Sequence, residues 1–267
     1  MLVIVHKGRK KMNECIVIKC GGSMLERLDS TFFHCIEKLK RKYRIVIVHG
    51  GGPDIDKILK KLQIPIEKKH GLRVTSQEVM EVVQMVLCGS TNKNLVQNFQ
   101  RYGLPAIGIS GCDGKLLQAK PLNKKIGYVG EVSKVESSLL EGVLNLNYIP
   151  IIAPIGIGEE QVYNINADIA AAGIAAALRV KELIFITDVD GLLYEGKLVK
   201  KTDEIEILDM IEKEIITGGM IPKVQAALVA LRMGIQSVSI VNGTKNFIGL
   251  TGEWIGTTVT RGRLQYE

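Results

Sequence analysis

The chain has 267 residues, of which 46% are hydrophobic and 24% charged, a balance typical of soluble globular proteins. Its net charge is +7, but only 5% of the residues are aromatic, so few side chains could stack on nucleic-acid bases. No apolar run approaches the ~20 residues of a membrane-spanning helix. We therefore expect no nucleic-acid and no membrane partner, and phosphate-bearing small molecules would explain the basic charge.

Residues 1–14 are predicted to form a basic arm before the first strand. The apolar run in this arm, residues 2–5, is shorter than the roughly 7–15 apolar residues of a secretory signal. The five cysteines contain no C-x-x-C pair and fit no metal or disulfide framework. These observations predict a cytoplasmic protein with reduced thiols and no bound metal of its own.

Short apolar runs alternate with helical patterns along the rest of the chain. The runs are apolar almost throughout, as is typical of strands that helices cover on both faces of a parallel sheet. Strands are predicted at 15–19, 44–48, 106–109, 149–153, 182–187 and 237–241. Helices are predicted at 30–42, 54–62, 76–102, 137–147, 167–178, 203–214 and 220–233. This alternation predicts an α/β fold in which helices sandwich a mainly parallel open sheet.

Two polar segments interrupt this alternation. Residues 66–75 and 116–135 contain glycines between short extended stretches, which predicts hairpins outside the main sheet. The motifs change in kind near residues 179–181. We therefore predict two lobes, an N-terminal lobe at 15–178 and a C-terminal lobe at 179–267.

Two glycine clusters each lie between a predicted strand and a predicted helix. The first is Lys19-Cys20-Gly21-Gly22, and the second is Gly50-Gly51-Gly52. The carboxyl ends of parallel strands are where α/β sheets bind ligands, and glycine lets backbone N–H groups approach a phosphate closely. Either cluster alone could be a simple tight turn, but two on consecutive strands, one after a lysine, predict an anion-binding edge.

Other glycine signatures fail on inspection. The run Gly191–Lys197 has the spacing of a Walker loop, but Leu198 stands where that loop requires serine or threonine. His49 and the three glycines after it are similar to the oxyanion loop of esterases. Those enzymes also need a G-x-S-x-G nucleophile turn, and the run at 108–112 ends in cysteine instead. An esterase would therefore lack its nucleophile.

Three further segments carry charged groups beside turns. Asp168 follows Asn166, a possible helix N-cap, so its carboxylate could simply complement the helix dipole. The run Thr187-Asp188-Val189-Asp190-Gly191-Leu192 could hold a metal or form a polar turn with Gly191 at positive φ. We favour a nucleotide-facing turn without metal ligation. The run Thr217-Gly218-Gly219-Met220 places a third glycine turn before a helix that carries Lys223.

In their order and spacing, these motifs resemble those of the amino acid kinase family, and within it the acetylglutamate kinases. The resemblance extends over residues 15–261, although no single motif is decisive. It includes the glycine clusters and charged runs above, together with the segments 71–75, 89–93, 164–168 and 252–257.

The resemblance implies the amino acid kinase fold, with an N-terminal lobe for the amino-acid derivative and a C-terminal lobe for ATP. It also implies phosphorylation of the side-chain carboxylate of N-acetyl-L-glutamate, with Mg²⁺ arriving on ATP. Lys19 and Lys223 would hold the transferred phosphoryl group, and Asp168 would orient both lysines. The implied substrate-binding residues are Gly51, Gly52, Arg73 and Asn164. The implied phosphate- and ATP-binding residues are Gly21, Gly22, Gly50, Thr187, Asp188, Val189, Asp190, Gly191, Leu192, Thr217, Gly218, Gly219 and Met220.

Alternatives stay open within and beyond this family. A kinase for a carrier-protein-linked aminoadipate or glutamate would share most of these motifs. A non-catalytic amino-acid sensor would share the fold, although Lys19, Asp168 and Lys223 are all present here. We expect a homodimer rather than a hexamer, because hexameric relatives carry a longer segment before the first strand.

Overall fold

The structure is a computed structural model that describes residues 14–69 and 71–262. The predicted basic arm therefore lies outside the described residues except for Glu14. The strands are β1 Cys15–Cys20, β2 Arg44–His49, β3 Lys68–Lys69, β4 Leu72–Arg73, β5 Ala106–Ser110, β6 Leu117–Pro121, β7 Val129–Val135, β8 Ile149–Ala153, β9 Ile155–Ile157, β10 Val162–Ile165, β11 Glu182–Thr187, β12 Leu193–Tyr194, β13 Lys197–Leu198, β14 Lys201–Asp203, β15 Ser237–Asn242 and β16 Gly256–Thr260.

Helices cover the sheet and connect its strands. The α-helices are α1 Ser30–Lys40, α2 Gly52–Lys61, α3 Gln77–Gln84, α4 Asn92–Arg101, α5 Ser138–Asn145, α6 Ala167–Ala177, α7 Glu204–Glu212 and α8 Ile221–Arg232. Short 3₁₀ turns occupy Gly22–Arg27, Asp113–Lys115, Lys124–Ile126 and Gly218–Met220, and a π-helical segment occupies Met85–Thr91.

The main sheet has eight strands in the order β14-β16-β15-β11-β1-β2-β8-β5. All neighbours run parallel except β15 and β16. The prediction of a mainly parallel sheet sandwiched by helices is confirmed. From β1 the chain first adds strands on one side, beginning with β2, and later on the other, beginning with β11. A reversal of this kind creates the crevice in which open α/β sheets bind ligands.

Strand β1 shows why the central strands are apolar throughout. Val17 faces a core that contains α6 and α8, whereas Ile16 and Ile18 face a second core. The second core includes Phe32 of α1 and Phe99 of α4. Alternate side chains thus enter opposite cores, and burial of both faces removes the polar positions that a half-exposed strand would show.

The two predicted hairpins form outside the main sheet. Strands β3 and β4 pair antiparallel in the first, and β6 and β7 pair antiparallel in the second. With β9 and β10, the second hairpin closes a four-stranded barrel that was not predicted. No helix among the described residues is long and apolar enough to cross a bilayer.

The predicted helix at 76–102 is helical but not α-helical throughout. Its central segment, Met85–Thr91, is π-helical and separates α3 from α4. A Cβ added to Gly51 would meet the side chains of Leu87 and Thr91, which both belong to this segment. The π-helical segment therefore lies against the second glycine cluster, and such segments are common at functional sites.

Candidate active site

The carboxyl ends of four neighbouring strands are joined by backbone hydrogen bonds. The N–H of Gly50 donates to the carbonyl of Cys20 over 2.9 Å, and the N–H of Gly21 donates to Ile186 over 3.2 Å. The N–H of Gly243 donates to Thr187 over 2.9 Å. The turns after β2, β1, β11 and β15 are therefore held side by side along one edge of the sheet.

The first two glycine turns pack backbone against backbone. A Cβ on Gly22 would lie 2.7 Å from the amide nitrogen of Gly51, and a Cβ on Gly50 would lie 2.8 Å from that of Gly22. Both distances are too short for any side chain. Glycine is required at these positions because the two backbones approach closely, and the result is a group of N–H donors drawn from two turns.

Lys19 and Asp168 form an ion pair in which Nζ and Oδ1 are 2.9 Å apart. Asp168 lies in the first turn of α6, and Asn166 caps this helix by accepting from the N–H groups of Asp168 and Ile169 over 2.9 and 3.2 Å. The predicted N-cap is therefore confirmed. The cap fixes the start of the helix, so that Asp168 is directed at the end of β1.

Lys223 pairs with a different carboxylate from the one expected. Its Nζ lies 3.6 Å from Oδ1 of Asp188, the first residue after β11. Burial tends to raise the pKa of Asp188, but a backbone hydrogen bond and the charges of Lys223 and Arg27 outweigh burial and lower this pKa. Arg27 is thus a third cation near this edge, one that the sequence analysis missed. That Asp168 orients Lys223 as well as Lys19 stays a prediction.

A cavity of about 210 Å³ opens beside the second glycine turn. The four predicted substrate-binding residues line it together with further glycine, polar and apolar residues and with a second cation, Lys68. The full lining is Gly50, Gly51, Gly52, Ile55, Lys68, Gly71, Leu72, Arg73, Leu87, Val129, Pro154, Asn164, Ile165, Asn166 and Ala167. We call it the substrate-side cavity.

Arg73 is the buried cation of the substrate-side cavity. It forms an ion pair with Asp56, and its Nη2 donates to the carbonyl of Gly52 over 3.2 Å. Burial tends to raise the pKa of Asp56, but hydrogen bonds from Arg73 and Lys68 outweigh it, and the pKa is lowered. Nη1 of Arg73 is buried and has no hydrogen-bond partner within residues 14–69 and 71–262. Oδ1 of Asp56 is also buried without a hydrogen bond there, but it is ion-paired with Nη2 of Arg73. A buried N–H donor without an acceptor favours an anionic ligand here.

Asn164 connects the substrate-side cavity to the chain around Arg73. Its Nδ2 donates to the hydroxyl of Thr75 over 3.3 Å, and this hydroxyl donates to the carbonyl of Arg73 over 2.8 Å. The two residues are 91 positions apart in the sequence, and the buried Thr75 holds them on one wall.

A second cavity, of about 470 Å³, opens at the ends of β11 and β15. We call it the nucleotide-side cavity, and its lining residues are Asp188, Val189, Asp190, Gly191, Leu192, Leu193, Ile215, Ile216, Thr217, Met220, Asn242 and Lys245. Gly191 has φ of 135°, which confirms the predicted positive φ. Of the other predicted ATP-binding residues, Thr187 is buried at the end of β11, and Gly218 and Gly219 lie in the 3₁₀ turn before α8.

Asn242 and Lys245 are lining residues that the sequence analysis missed. Nδ2 of Asn242 and Nζ of Lys245 each lie 2.7 Å from a carboxylate oxygen of Asp190. These hydrogen bonds, first from Lys245 and then from Asn242, lower the pKa of Asp190. Asn242 and Gly243 follow the predicted apolar strand at 237–241, so the rule that ligands bind at the carboxyl ends of strands could have identified this turn as well.

The strand that carries Lys19 lies between the two cavities. β1 pairs with β2, whose glycine turn lines the substrate-side cavity, and with β11, whose last residues precede the nucleotide-side cavity. In the part of the chain that the structure describes, no three His, Cys, Asp or Glu side chains are arranged to hold a metal.

Glycine turns and paired lysines at the carboxyl edge of a parallel sheet are typical of α/β proteins that bind phosphate groups. The model of the amino acid kinase family matches residues 14–242 of this chain. A protein of Bacillus cereus (strain ATCC 10987 / NRS 248) named acetylglutamate kinase is 68% identical over 251 residues, which cover 94% of this chain and 98% of that protein. The chain belongs to the amino acid kinase family.

Solved structures agree with this assignment. The crystal structure of smu.665 from Streptococcus mutans UA159 superposes with a TM-score of 0.82 at 34% identity, over 93% of this chain and 99% of that one. An N-acetylglutamate synthase from Neisseria gonorrhoeae, complexed with coenzyme A and N-acetyl-glutamate, superposes with a TM-score of 0.81 at 21% identity, over 95% of this chain and 61% of that one. The second likeness shows the shared fold alone.

Proposed function

We propose that this chain is an acetylglutamate kinase, which transfers the γ-phosphoryl group of ATP to the side-chain carboxylate of N-acetyl-L-glutamate. The product would be N-acetyl-L-glutamyl 5-phosphate, an intermediate of arginine biosynthesis. One observation carries the proposal, namely that Lys19 lies on β1, between two strands that each end at a cavity. The buried Arg73 lines one cavity, and the turn after β11 lines the other. The name of the 68% identical relative agrees with this reading.

The chemistry requires alignment and charge neutralisation rather than a base. The attacking carboxylate has a free pKa of about 4.3, so it is already ionised near neutral pH. Two anions must nevertheless approach each other, and charge spreads over the equatorial phosphoryl oxygens in the transition state. Lysine ammonium groups and fixed N–H donors stabilise that charge. Mg²⁺, carried by ATP, would neutralise further phosphate charge.

Each side of the site has a distinct role in this proposal. Arg73 binds the α-carboxylate of N-acetyl-L-glutamate, and Asn164 contacts the bound substrate. Gly22, Gly51 and Gly52 donate N–H groups to the transferred phosphoryl group. The buried, unpartnered Nη1 of Arg73 supports its part, since a carboxylate would supply the missing acceptor.

Lys19 and Lys223 approach the phosphoryl group from opposite sides. Lys19 is oriented by Asp168, and Lys223 starts from its ion pair with Asp188. The turn at Asp188–Leu193 and the run Ile215–Met220 surround the nucleotide. This assignment is supported by the cavity that both segments line.

We also propose an organisation for the whole protein. Residues 15–178 would form a lobe for the amino-acid substrate and for dimerisation, and residues 179–267 a lobe for ATP. The protein would act in the cytoplasm as a homodimer. Sedimentation equilibrium would test the dimer, and a hexamer would contradict it.

Trapping with hydroxylamine tests the proposed reaction. The purified protein, MgATP, N-acetyl-L-glutamate and hydroxylamine should yield a hydroxamate, because hydroxylamine captures acyl phosphates. Glutamate, aspartate and N-acetyl-L-aspartate should each give far less product. Hydroxamate from a carrier-linked aminoadipate but not from N-acetyl-L-glutamate would replace the proposed substrate. No hydroxamate from any acceptor, with ATP still bound, would identify a non-catalytic sensor instead.

A further inference from the structure

A buried hydrogen-bond network lies directly beneath the second glycine turn and has no role in the mechanism above. His49 is the last residue of β2, Asn92 is the first residue of α4, and both are buried. Nδ2 of Asn92 lies 3.1 Å from Nε2 of His49. Polar groups of this kind are costly to bury unless they are fully paired, so the network is expected to fix a specific geometry.

The neighbouring carbonyl groups determine which atoms carry the protons. Nδ1 of His49 lies 2.8 Å from the carbonyl oxygen of Gly50. Because a carbonyl can only accept, Nδ1 holds the ring proton and Nε2 is the acceptor. Nδ2 of Asn92 lies 2.9 Å from the carbonyl oxygen of Ile151, which fixes the orientation of its amide in the same way. Burial lowers the pKa of His49 to about 4, so the ring is neutral at physiological pH.

Holding the Gly50 carbonyl also orients the next N–H group. A trans peptide directs its C=O and its N–H to opposite sides. With the carbonyl of Gly50 held toward the imidazole, the N–H of Gly51 is directed away from the ring. The nitrogen of Gly51 lies beside Gly22, since a Cβ on Gly22 would be 2.7 Å from it. Within residues 14–69 and 71–262 this N–H has no hydrogen-bond acceptor. It is therefore available to a ligand of the substrate-side cavity, which Gly51 lines.

Asn92 is itself held by two strands of the main sheet. Besides Ile151 of β8, its Nδ2 approaches the carbonyl of Ile109 in β5 at 3.4 Å, and its Oδ1 accepts from Lys93 over 3.2 Å. A Cβ on Gly108 would overlap Oδ1 of Asn92, so glycine at this position leaves the space that the amide occupies. The position of the imidazole is thus fixed by the rigid part of the sheet.

We propose that His49 and Asn92 are positioning residues for phosphoryl transfer, which hold the Gly50–Gly51 peptide so that the N–H of Gly51 points at the transferred phosphoryl group. The inference rests on the proposed function and adds two residues to it. Neither side chain contacts the reacting atoms. Their effect comes from preorganisation, since a donor that is already oriented needs no rearrangement when charge develops.

Two substitutions at one position separate positioning from simple packing. In His49→Asn, the side-chain amide nitrogen stands near the former Nδ1 and can still donate to Gly50. In His49→Gln, it stands near the former Nε2 and cannot. His49→Gln should lower kcat at least ~10-fold. The upper limit is the roughly 10²–10³-fold loss of kcat that follows removal of an oxyanion-hole donor. The KM for ATP and for N-acetyl-L-glutamate should change less than about threefold, and His49→Asn should keep kcat within about threefold.

A buried hydroxyl far from the glycine turns supplies the control for lost stability. Ser239 of β15 is fully buried, and its hydroxyl donates to Glu182 over 3.1 Å. Ser239→Ala should lower the melting temperature without changing kcat. Equal kcat losses in the two His49 variants, or a loss confined to KM, would overturn the positioning role.

Nitrogen-15 NMR tests the geometry without any turnover. The wild-type ring of His49 should show the Nδ1–H tautomer, and the Gly51 amide signal should persist in His49→Asn but shift in His49→Gln. An Nε2–H tautomer in the wild-type protein would refute the inference even if the Gln variant failed to fold. A wild-type protein that forms no hydroxamate would refute the proposed function instead, and the tautomer would still decide the geometry.

Discussion

The substrate side and the nucleotide side of the site are held by different kinds of ion pair. On the substrate side, the Arg73 side chain is only 7% exposed and pairs with Asp56. On the nucleotide side, Lys223 is 30% exposed in its pair with Asp188, and Lys245 is 62% exposed in its pair with Asp190. Among Arg73, Lys223 and Lys245, burial therefore decreases from the second glycine turn toward the end of β15, whereas Lys68, the second partner of Asp56, is itself 51% exposed.

This gradient indicates how each side responds to its ligand. Exposed ion pairs contribute about 0–1 kcal/mol, so Lys223 and Lys245 can exchange a carboxylate for a phosphate at little cost. Breaking a buried pair costs several-fold more, so Arg73 keeps Asp56 and offers its free Nη1. We therefore expect the substrate side to be preorganised and the ion pairs of the nucleotide side to rearrange when ATP binds.

The largest expected effect on activity is that of removing Lys223, which must exchange Asp188 for a phosphate. Lys223→Ala should lower kcat about 10²–10³-fold, because it removes a charge needed only as phosphoryl charge develops, while substrate KM changes little. Lys213→Ala is a control for the loss of a paired lysine outside the site, since Lys213 forms an exposed pair with Asp209 at the end of the preceding helix. Near-normal turnover in Lys223→Ala, measured by steady-state kinetics, would remove Lys223 from the mechanism.

The buried network beneath the substrate side should make stability depend on pH. Burial lowers the pKa of His49 from 6.5 to about 4, so between these values the unfolded chain binds a proton that the native state excludes. Stability should therefore fall as the pH drops through this window. At about 1.4 kcal/mol for each pH unit that separates the two pKa values, the loss approaches roughly 3 kcal/mol.

The variant His49→Asn isolates this contribution. Urea unfolding at a series of pH values should give a shallower slope between about pH 6.5 and 4 for the variant than for the wild-type protein. Identical slopes would show that the imidazole does not stay neutral in the native state.

The backbone contact between the first two glycine turns should tolerate no side chain. Gly22→Ala would place a Cβ 2.7 Å from the nitrogen of Gly51 and should cost about 1–3 kcal/mol of stability, with a loss of activity. Gly142→Ala in α5 is the matched control, because no heavy atom lies within 4 Å of the added Cβ and alanine favours helix. Thermal unfolding of both variants checks the difference, and an unaffected Gly22→Ala would contradict the packing described.

The smallest effect is expected for Lys245, the most exposed of the three cations Arg73, Lys223 and Lys245. Lys245→Ala should raise the KM for ATP a few-fold and leave the melting temperature nearly unchanged, because its pair is exposed. Lys181→Ala is the control, because the pair of Lys181 with Glu14 has the same distance and a similar exposure. Lys181 lies before β11, at the amino ends of the central strands and away from the site. An equal effect of both substitutions on ATP binding would exclude a specific role for Lys245.

Much of the main sheet was predictable because burial on both faces leaves continuous apolar runs. Six of its strands were predicted to within one residue at their ends. Strand β14 was missed because it has only three residues, and β16 because it lacks an apolar run, with three threonines in Gly256–Thr260. The π-helical segment was missed because hydrophobic periodicity does not reveal one extra residue in a turn.

The glycine turns and the N-cap were predictable because they are local. Asn166 precedes its helix by one residue, and each glycine cluster follows its own strand. The partners of the charged groups were not predictable, since the pairs Asp188–Lys223 and Arg73–Asp56 depend on how distant segments fold together. The imidazole of His49 was missed for the same reason, because Asn92 is 43 residues away.

A crystal structure with MgADP, aluminium fluoride and N-acetyl-L-glutamate tests the central claim most directly, because the fluoride mimics the transferred phosphoryl group. Both Nζ atoms, of Lys19 and Lys223, should lie about 3 Å from fluoride ligands, with the N–H of Gly51 directed at the same group. A complex in which both ligands are bound, but the Nζ atom of either lysine stays away from the fluoride, would contradict the account.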